Sequence, residues 1–214
     1  MGDELAAAMA RVRDAFARYP RRTVLDGCPH CRGSVLVDEH DLFSLTISLG
    51  NTVGGLDDVK SLLPVLLERL VVSVELDPGM VLAKLPRGEW RTWPAAEQEA
   101  VDGYLDAVWR SLLADHPSRV GSFLDAATFL DAAGSTGESV DRFLDLWDVT
   151  LGSPADRHLA ETVSGFDFAA RKPSALGDWL RRETVRDRLH RAFERDHDSV
   201  WADDFARAYD LLRS

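Results

Sequence analysis

The chain holds its two cysteines, Cys28 and Cys31, in the segment GCPHCRG at residues 27–33. Two intervening residues let both thiolates reach one tetrahedral zinc ion at about 2.3 Å, so such a turn is typical of half a zinc site. No second cysteine pair is present, so the other ligands must be histidines or carboxylates. The nearest in sequence are His30, Asp38 and His40. We predict a structural zinc ion bound by Cys28, Cys31 and His30.

Two other interpretations of this segment stay open. Cys-Pro-His-Cys is also the active-site sequence of periplasmic thiol-disulfide oxidoreductases, in which a following helix stabilises the first thiolate. Here Arg32-Gly33-Ser34 and a β-branched stretch follow instead of a helical pattern. The remaining interpretation is a proline turn with two reduced, partly buried cysteines. The sequence favours the zinc site and the simple turn over redox chemistry.

A second group of ligand-type residues lies near the C-terminus. His190, Glu194 and His197 are spaced by four and three positions, which places them on one face of a helix, where they could bind a divalent ion. The segment carries no zinc-protease motif. Alternating charges around Glu194 are equally typical of a solvated helix face, and we favour that interpretation.

Signatures of other chemistry are absent from the sequence. There is no Gly-x-Ser-x-Gly segment, dinucleotide-binding fingerprint or phosphate-binding loop. The sequence therefore does not decide whether the protein is an enzyme, and it favours a non-catalytic role.

The charge composition restricts the class of partner. The formal net charge of −11 would repel nucleic acid and anionic membranes. No stretch approaches the roughly eighteen apolar residues of a membrane span, and the N-terminus does not resemble an export signal. We expect a cytoplasmic protein that binds another protein and contacts neither nucleic acid nor membrane.

Helical periodicity dominates the chain. Apolar residues recur at spacings of three and four over 59–70 and 101–113, and shorter helices are predicted before Gly134, over 139–151 and beyond Pro154. Only the short β-branched segments beside the cysteines, RTVLDG and GSVLVDEHD, favour strands. We predict an all-α protein, a helical bundle or a short solenoid-like stack, with a small irregular or two-stranded element at the Cys-x-x-Cys segment.

The same pattern predicts one domain over residues 1–214, with a weaker candidate boundary at 114–122. Trp109, Trp147 and Trp201 lie on apolar helical faces and are predicted to be core residues. Trp90 and Trp93 lie near a loop, where they either line a groove or fasten the loop to the bundle.

Several short segments of the first half resemble a family of uncharacterised bacterial proteins. The matching positions are Tyr19-Pro20, Gly27 to Cys31, Leu63-Pro64, Leu67-Glu68, Trp90 and Trp93-Pro94. His30 stands where the family pattern has a middle cysteine. Both residue types bind zinc, so this exchange favours a metal over a disulfide. The resemblance implies no activity.

These observations lead to three hypotheses about function. The first is a non-catalytic helical interaction or scaffold protein with a structural zinc ion. The second is a thiol redox or metal-dependent enzyme. The third is an acidic, immunity-type protein that neutralises a basic partner.

Overall fold

The computed structural model describes residues 2–27, 33–37, 42–169 and 174–213. Cys28, His30 and Cys31 lie outside the described residues, as do Asp38 and His40. The zinc site at the Cys-x-x-Cys segment therefore stays a prediction.

The first half of the chain consists of helices around one small sheet. Its elements are α1 (Asp3–Phe16), β1 (Val24–Asp26), β2 (Ser34–Leu36), α2 (Leu42–Ser48), α3 (Leu56–Val72), α4 (Pro78–Leu82), α5 (Lys84–Arg87) and a 3-10 helix (Trp90–Thr92). The two strands pair antiparallel, with Leu25 opposite Val35. They flank the cysteine segment, as the β-branched pattern predicts.

The second half is helical throughout its described residues. Its elements are α6 (Ala95–Ala114), α7 (Ala126–Gly134), α8 (Asp141–Val149), α9 (Ser153–Gly165), α10 (Ala175–Leu180), α11 (Glu183–Asp196) and α12 (Ala202–Leu211). The prediction of a mainly helical protein with a small two-stranded element is thus confirmed. None of the helices in the described ranges combines the length and apolar character needed to cross a membrane.

Helix α6 lies at the centre of the bundle. It packs against α1 on one side and against α7, α8 and α9 on others. Its apolar residues therefore point in several directions, and Val101, Val108 and Trp109 are fully buried. One continuous cluster of buried side chains extends from Leu5 in α1 to Ala208 in α12.

A chain of aromatic rings joins α6 to the helices that follow it. The ring of Trp109 lies 4.7 Å from Phe129 and 5.2 Å from Trp147, and Trp147 stacks on Trp179 at 5.1 Å. The Trp147 indole donates a hydrogen bond to the carbonyl of Ala155 in the first turn of α9 at 3.1 Å. The start of α9 is therefore fixed against the core.

The other tryptophans divide between core and surface. Trp90 and Trp93 are buried, and their indole groups donate to the carbonyls of Thr136 and Gly88. They fasten the loop before α6 to the bundle. Trp201, predicted to be a core residue, is only partly buried, and the Arg157 guanidinium lies 4.4 Å from its ring centroid. Trp201 precedes α12 and packs against the edge of the core cluster, so the core prediction holds in part.

A buried ion pair connects α3 to the start of α6. Lys60 Nζ lies 2.9 Å from Glu97 Oε2, and both side chains are almost fully buried. Glu97 also accepts hydrogen bonds from Arg18 and Tyr19, which follow α1. The ammonium lies 4.3 Å from the Trp93 ring centroid. These partners offset the cost of removing both charges from water.

We expect Glu97→Gln to lower the free energy of unfolding by about 3 kcal/mol, because it leaves the Lys60 charge buried without its counter-ion. Adding Lys60→Met should recover part of that loss in urea unfolding. The control is Glu68→Gln, which breaks the exposed pair with Arg13 and should cost about 1 kcal/mol or less. Equal losses for Glu97→Gln and Glu68→Gln would contradict this account.

Tyr104 should make the stability depend on alkaline pH. Its hydroxyl donates to the carbonyl of Leu67 at 2.9 Å, and burial raises the pKa of this phenol well above its ordinary value. In the unfolded chain the phenol ionises above about pH 10, whereas in the folded chain it stays protonated. Ionisation therefore stabilises only the unfolded chain, and the free energy of unfolding falls as the pH rises above about 10. Between about pH 8 and pH 11, the free energy of unfolding of the wild type should fall by about 1.4 kcal/mol more than that of Tyr104→Phe. Urea unfolding of both proteins at both pH values measures this change. A difference in stability between wild type and Tyr104→Phe that is the same at both pH values would refute it.

Candidate metal centre

The structure brings together three ligand-type side chains that are distant in sequence. His116, His158 and Glu161 each offer one ligand atom, and these atoms all lie within 4.8 Å of one another. No other such trio occurs within residues 2–27, 33–37, 42–169 and 174–213. His158 and Glu161 lie one turn apart on α9, whereas His116 follows the C-terminal end of α6.

The end of α6 determines which nitrogen of His158 faces the site. His158 is fully buried, and its Nε2 lies 3.1 Å from the Leu112 carbonyl oxygen and 2.9 Å from that of Asp115. The last carbonyls of a helix lack partners within the helix, so an N–H group is the natural complement there. Nε2 must carry a proton to donate to them. In the neutral ring, Nδ1 is therefore the nitrogen with a free lone pair.

Metal-binding histidines usually have this arrangement. Their second ring nitrogen donates to a backbone carbonyl or carboxylate, which fixes the tautomer and the orientation of the ring. His158 satisfies that requirement twice, through Leu112 and Asp115. Its Nδ1 has no hydrogen-bond partner, although it is buried.

The spacing of the ligand atoms suits a small divalent ion. Glu161 Oε2 lies 3.2 Å from His116 Nε2 and 3.8 Å from His158 Nδ1. A tetrahedral zinc ion at its usual bond lengths separates its nitrogen and oxygen ligands by about 3.4 Å. The three side chains therefore need only small adjustments to bind one ion.

Electrostatics keep His116 in the form that binds metals. Burial lowers the pKa of its imidazole, and the neighbouring His158 and Arg157 lower it further, while Glu161 acts in the opposite direction. A neutral imidazole offers a lone pair at neutral pH, whereas an imidazolium does not. The Nδ1 atom of His116 is also buried without a hydrogen-bond partner.

A second buried network holds α9 in position. Asp156, two residues before His158, accepts a hydrogen bond of 2.6 Å from Arg188 Nε and one of 2.7 Å from Arg195 Nη1, both on α11. Arg188 also donates to the carbonyls of Trp147 and Thr150. The helix that carries two of the three candidate ligands is therefore fixed at its N-terminal half.

One side of the candidate centre opens into a surface pocket of about 260 Å³. Its walls come from α9, from α12 and from His116. They comprise His116, Arg157, Ala160, Glu161, Ser164, Asp204, Phe205 and Arg207. An ion bound to the three side chains would thus have access to a further ligand from the pocket.

The C-terminal residues with ligand-type spacing do not assemble in this way. His190 Nδ1 lies 3.5 Å from Glu194 Oε2, but His197 contacts the Glu194 carbonyl and the carboxylate of Asp198. The side chains of His190, Glu194 and His197 are at least half exposed. This supports the preferred interpretation of a solvated helix face.

The sequence contained one weak sign of the observed centre. His158 and Glu161 are spaced by three in a helical segment, as ligands on one helix face are. His116, however, is 45 positions from Glu161 and lies in the segment at 114–122 that was interpreted as a candidate boundary. Only the packing of α9 against the end of α6 brings it to the other two.

Comparisons with protein-family models, with curated proteins and with solved structures found no match to this chain. The resemblance to an uncharacterised bacterial family stays a prediction. The arguments for function therefore rest on the chemistry of the chain itself.

The hydrogen bonds of His158 predict its tautomer. At about pH 8.5, where an ordinary imidazole is neutral, its proton should be on Nε2. Long-range proton–nitrogen correlation NMR distinguishes the two ring nitrogens, and the signal is assigned with His158→Gln. The exposed His190 provides the reference for a solvated ring. A proton on Nδ1 of His158 would contradict the proposed orientation.

Proposed function

We propose that the protein binds a zinc-type divalent ion at His116, His158 and Glu161 and presents an open coordination position to a ligand in the adjoining pocket. The observation that carries this proposal is the orientation of His158. Its Nε2–H group donates to two carbonyls at the end of α6. Its buried Nδ1 has no hydrogen-bond partner and lies 3.8 Å from the Glu161 carboxylate.

The ligand types favour zinc among common ions. Two imidazoles and one carboxylate form a nitrogen-rich set, whereas calcium and magnesium prefer oxygen ligands alone. Buried polar atoms without partners are rare in proteins, and a missing water or ion is a usual reason. Here the buried Nδ1 of His158 is such an atom, and it lies 3.8 Å from the Glu161 carboxylate.

The number of ligands favours an accessible ion over a purely structural one. Structural zinc sites usually have four protein ligands, whereas reactive sites have three and leave a position for water or substrate. A zinc ion in such a position acts as a Lewis acid and lowers the pKa of bound water. This supports the hypothesis of a metal-dependent protein over that of a scaffold alone.

The other expectations are compatible with this proposal. A structural zinc ion at Cys28, Cys31 and His30 would be a separate site near the N-terminus. The net charge of −11 favours a protein partner over nucleic acid or a membrane surface. Neither a role as an interaction protein nor the immunity-type role requires a metal ion at His116, His158 and Glu161.

Zinc binding by the Cys28→Ser/Cys31→Ser variant tests the proposal without the cysteine site. We expect it to retain about one zinc ion per chain, measured by isothermal titration and elemental analysis. Adding Glu161→Gln should weaken binding by at least about 10-fold, because it removes the anionic ligand and leaves the bonds from His158 to α6 intact.

The matched control is Glu194→Gln, which alters another exposed glutamate beside a histidine. It should leave zinc affinity unchanged. Cobalt provides a second readout, because a four-coordinate cobalt ion bound without thiolates has visible absorption but no sulfur charge-transfer band. If the cysteine variant binds no zinc, or if Glu161→Gln and Glu194→Gln have equal effects, the proposed site is wrong.

A further inference from the structure

The pocket beside the candidate metal centre contains a cation without a counter-ion. Arg157 precedes His158 on α9 and is only partly exposed. It makes no ion pair with a carboxylate in the part of the chain that the structure describes. Its one hydrogen bond there runs from Nη1 to the carbonyl of His116 at 3.4 Å. Most of its five N–H donors therefore remain available to a ligand.

The guanidinium of Arg157 is held in place by its surroundings. Its Cζ atom lies 4.4 Å from the centroid of the Trp201 ring, and its Nη1 bond reaches the backbone of a candidate metal ligand. Stacking on an aromatic ring keeps the planar group oriented, so less entropy is lost when it binds an anion. A second arginine, Arg207 on α12, lines the same pocket and is more exposed.

The metal would give the pocket a net positive charge. Its charged side chains are two arginines, Arg157 and Arg207, and two acids, Glu161 and Asp204, which sum to zero. A divalent ion at the proposed centre gives the pocket a net charge of about +2, counting the histidines as neutral. This local charge is opposite to that of the whole chain.

From these observations we infer that the open metal position takes an oxygen of a small oxyanion, a phosphate or a carboxylate group, whose remaining oxygens bind the Arg157 fork. Arginine presents paired N–H donors that match the spacing of carboxylate and phosphate oxygens. The pocket volume of about 260 Å³ accommodates such a group. The inference rests on the proposed metal site, because the pocket is electrically balanced without the ion.

Metal and anion binding should be coupled. If the anion binds more tightly to the metal-loaded protein, the anion must raise metal affinity by the same factor. The metal-free protein, whose pocket has no net charge, should show little affinity for the same anions. This coupling distinguishes a metal-anchored ligand from weak binding to surface arginines.

The test uses the full-length Cys28→Ser/Cys31→Ser variant loaded with cobalt and titrated separately with inorganic phosphate and acetate. We expect at least one anion to change the visible cobalt spectrum saturably, and cobalt should broaden the phosphorus NMR signal if phosphate binds. Saturation by phosphate alone assigns the pocket to phosphate groups. Saturation by acetate alone assigns the pocket to carboxylates. Saturation by both anions assigns the pocket to small oxyanions in general.

Arg157→Gln should weaken anion binding by about 10-fold or more, because hydrogen bonds to charged groups are strong. Cobalt affinity without the anion should change by less than about 2-fold. Arg157→Lys keeps the charge but lacks the paired donors, so it should be intermediate. Arg13→Gln on α1 provides the control for the loss of one arginine, and thermal unfolding confirms that all variants fold.

The outcomes separate this inference from the proposed function. If cobalt does not bind, the metal site itself is wrong. If cobalt binds but neither anion alters its spectrum, the metal site stands and the oxyanion inference is overturned. Equal anion binding by metal-free protein, or by Arg157→Gln, also overturns it.

Discussion

The carbonyl groups at the C-terminal end of α6 impose the constraint on which the candidate centre depends. The helix ends at the exposed Ala114, and the carbonyl oxygens of its last turn lack the N–H partners that a further helical turn would supply. The imidazole of His158 contacts the carbonyl of Leu112 in that turn, which also accepts from the Asp115 N–H, and the carbonyl of Asp115 just beyond it. This contact fixes α9 against α6, fixes the tautomer of the ring and directs its second nitrogen to Glu161. Helix termination thus accounts for the orientation of one candidate ligand.

Two buried polar networks of the bundle differ from this centre because their charged groups are paired. Lys60 and Glu97 pair with each other, and Arg188 divides its donors between Asp156 and two carbonyls. Such networks hold helices in register and leave little capacity for a ligand. At the candidate centre, by contrast, buried imidazole nitrogens of His116 and His158 lack partners. The contrast within one protein separates a structural polar network from a binding site.

Much of the fold could be predicted from the sequence because it follows from local periodicity. The apolar spacing over 59–70 and 101–113 lies within α3 and α6, and the β-branched segments beside the cysteines form the β1–β2 pair. The metal centre could not be predicted in this way, because His116 and α9 meet only through packing of the bundle. The C-terminal histidines show the converse. Their spacing suits a metal, but the three side chains are at least half exposed, and His197 contacts Asp198 and the Glu194 carbonyl instead.

An acidic protein can bind an anion if the charge near the pocket outweighs the charge of the chain. At physiological ionic strength, interactions between exposed charges fade over about 8 Å, so most of the net charge of −11 acts weakly inside one pocket. The global charge still reduces the rate at which an anion approaches the surface. Affinity depends instead on the groups that contact the anion, and in the proposed site those groups are Arg157 and a divalent ion. In the proposed site, the ion is therefore the component that determines whether the pocket attracts anions, and its binding depends on His116 after α6 and on His158 and Glu161 of α9.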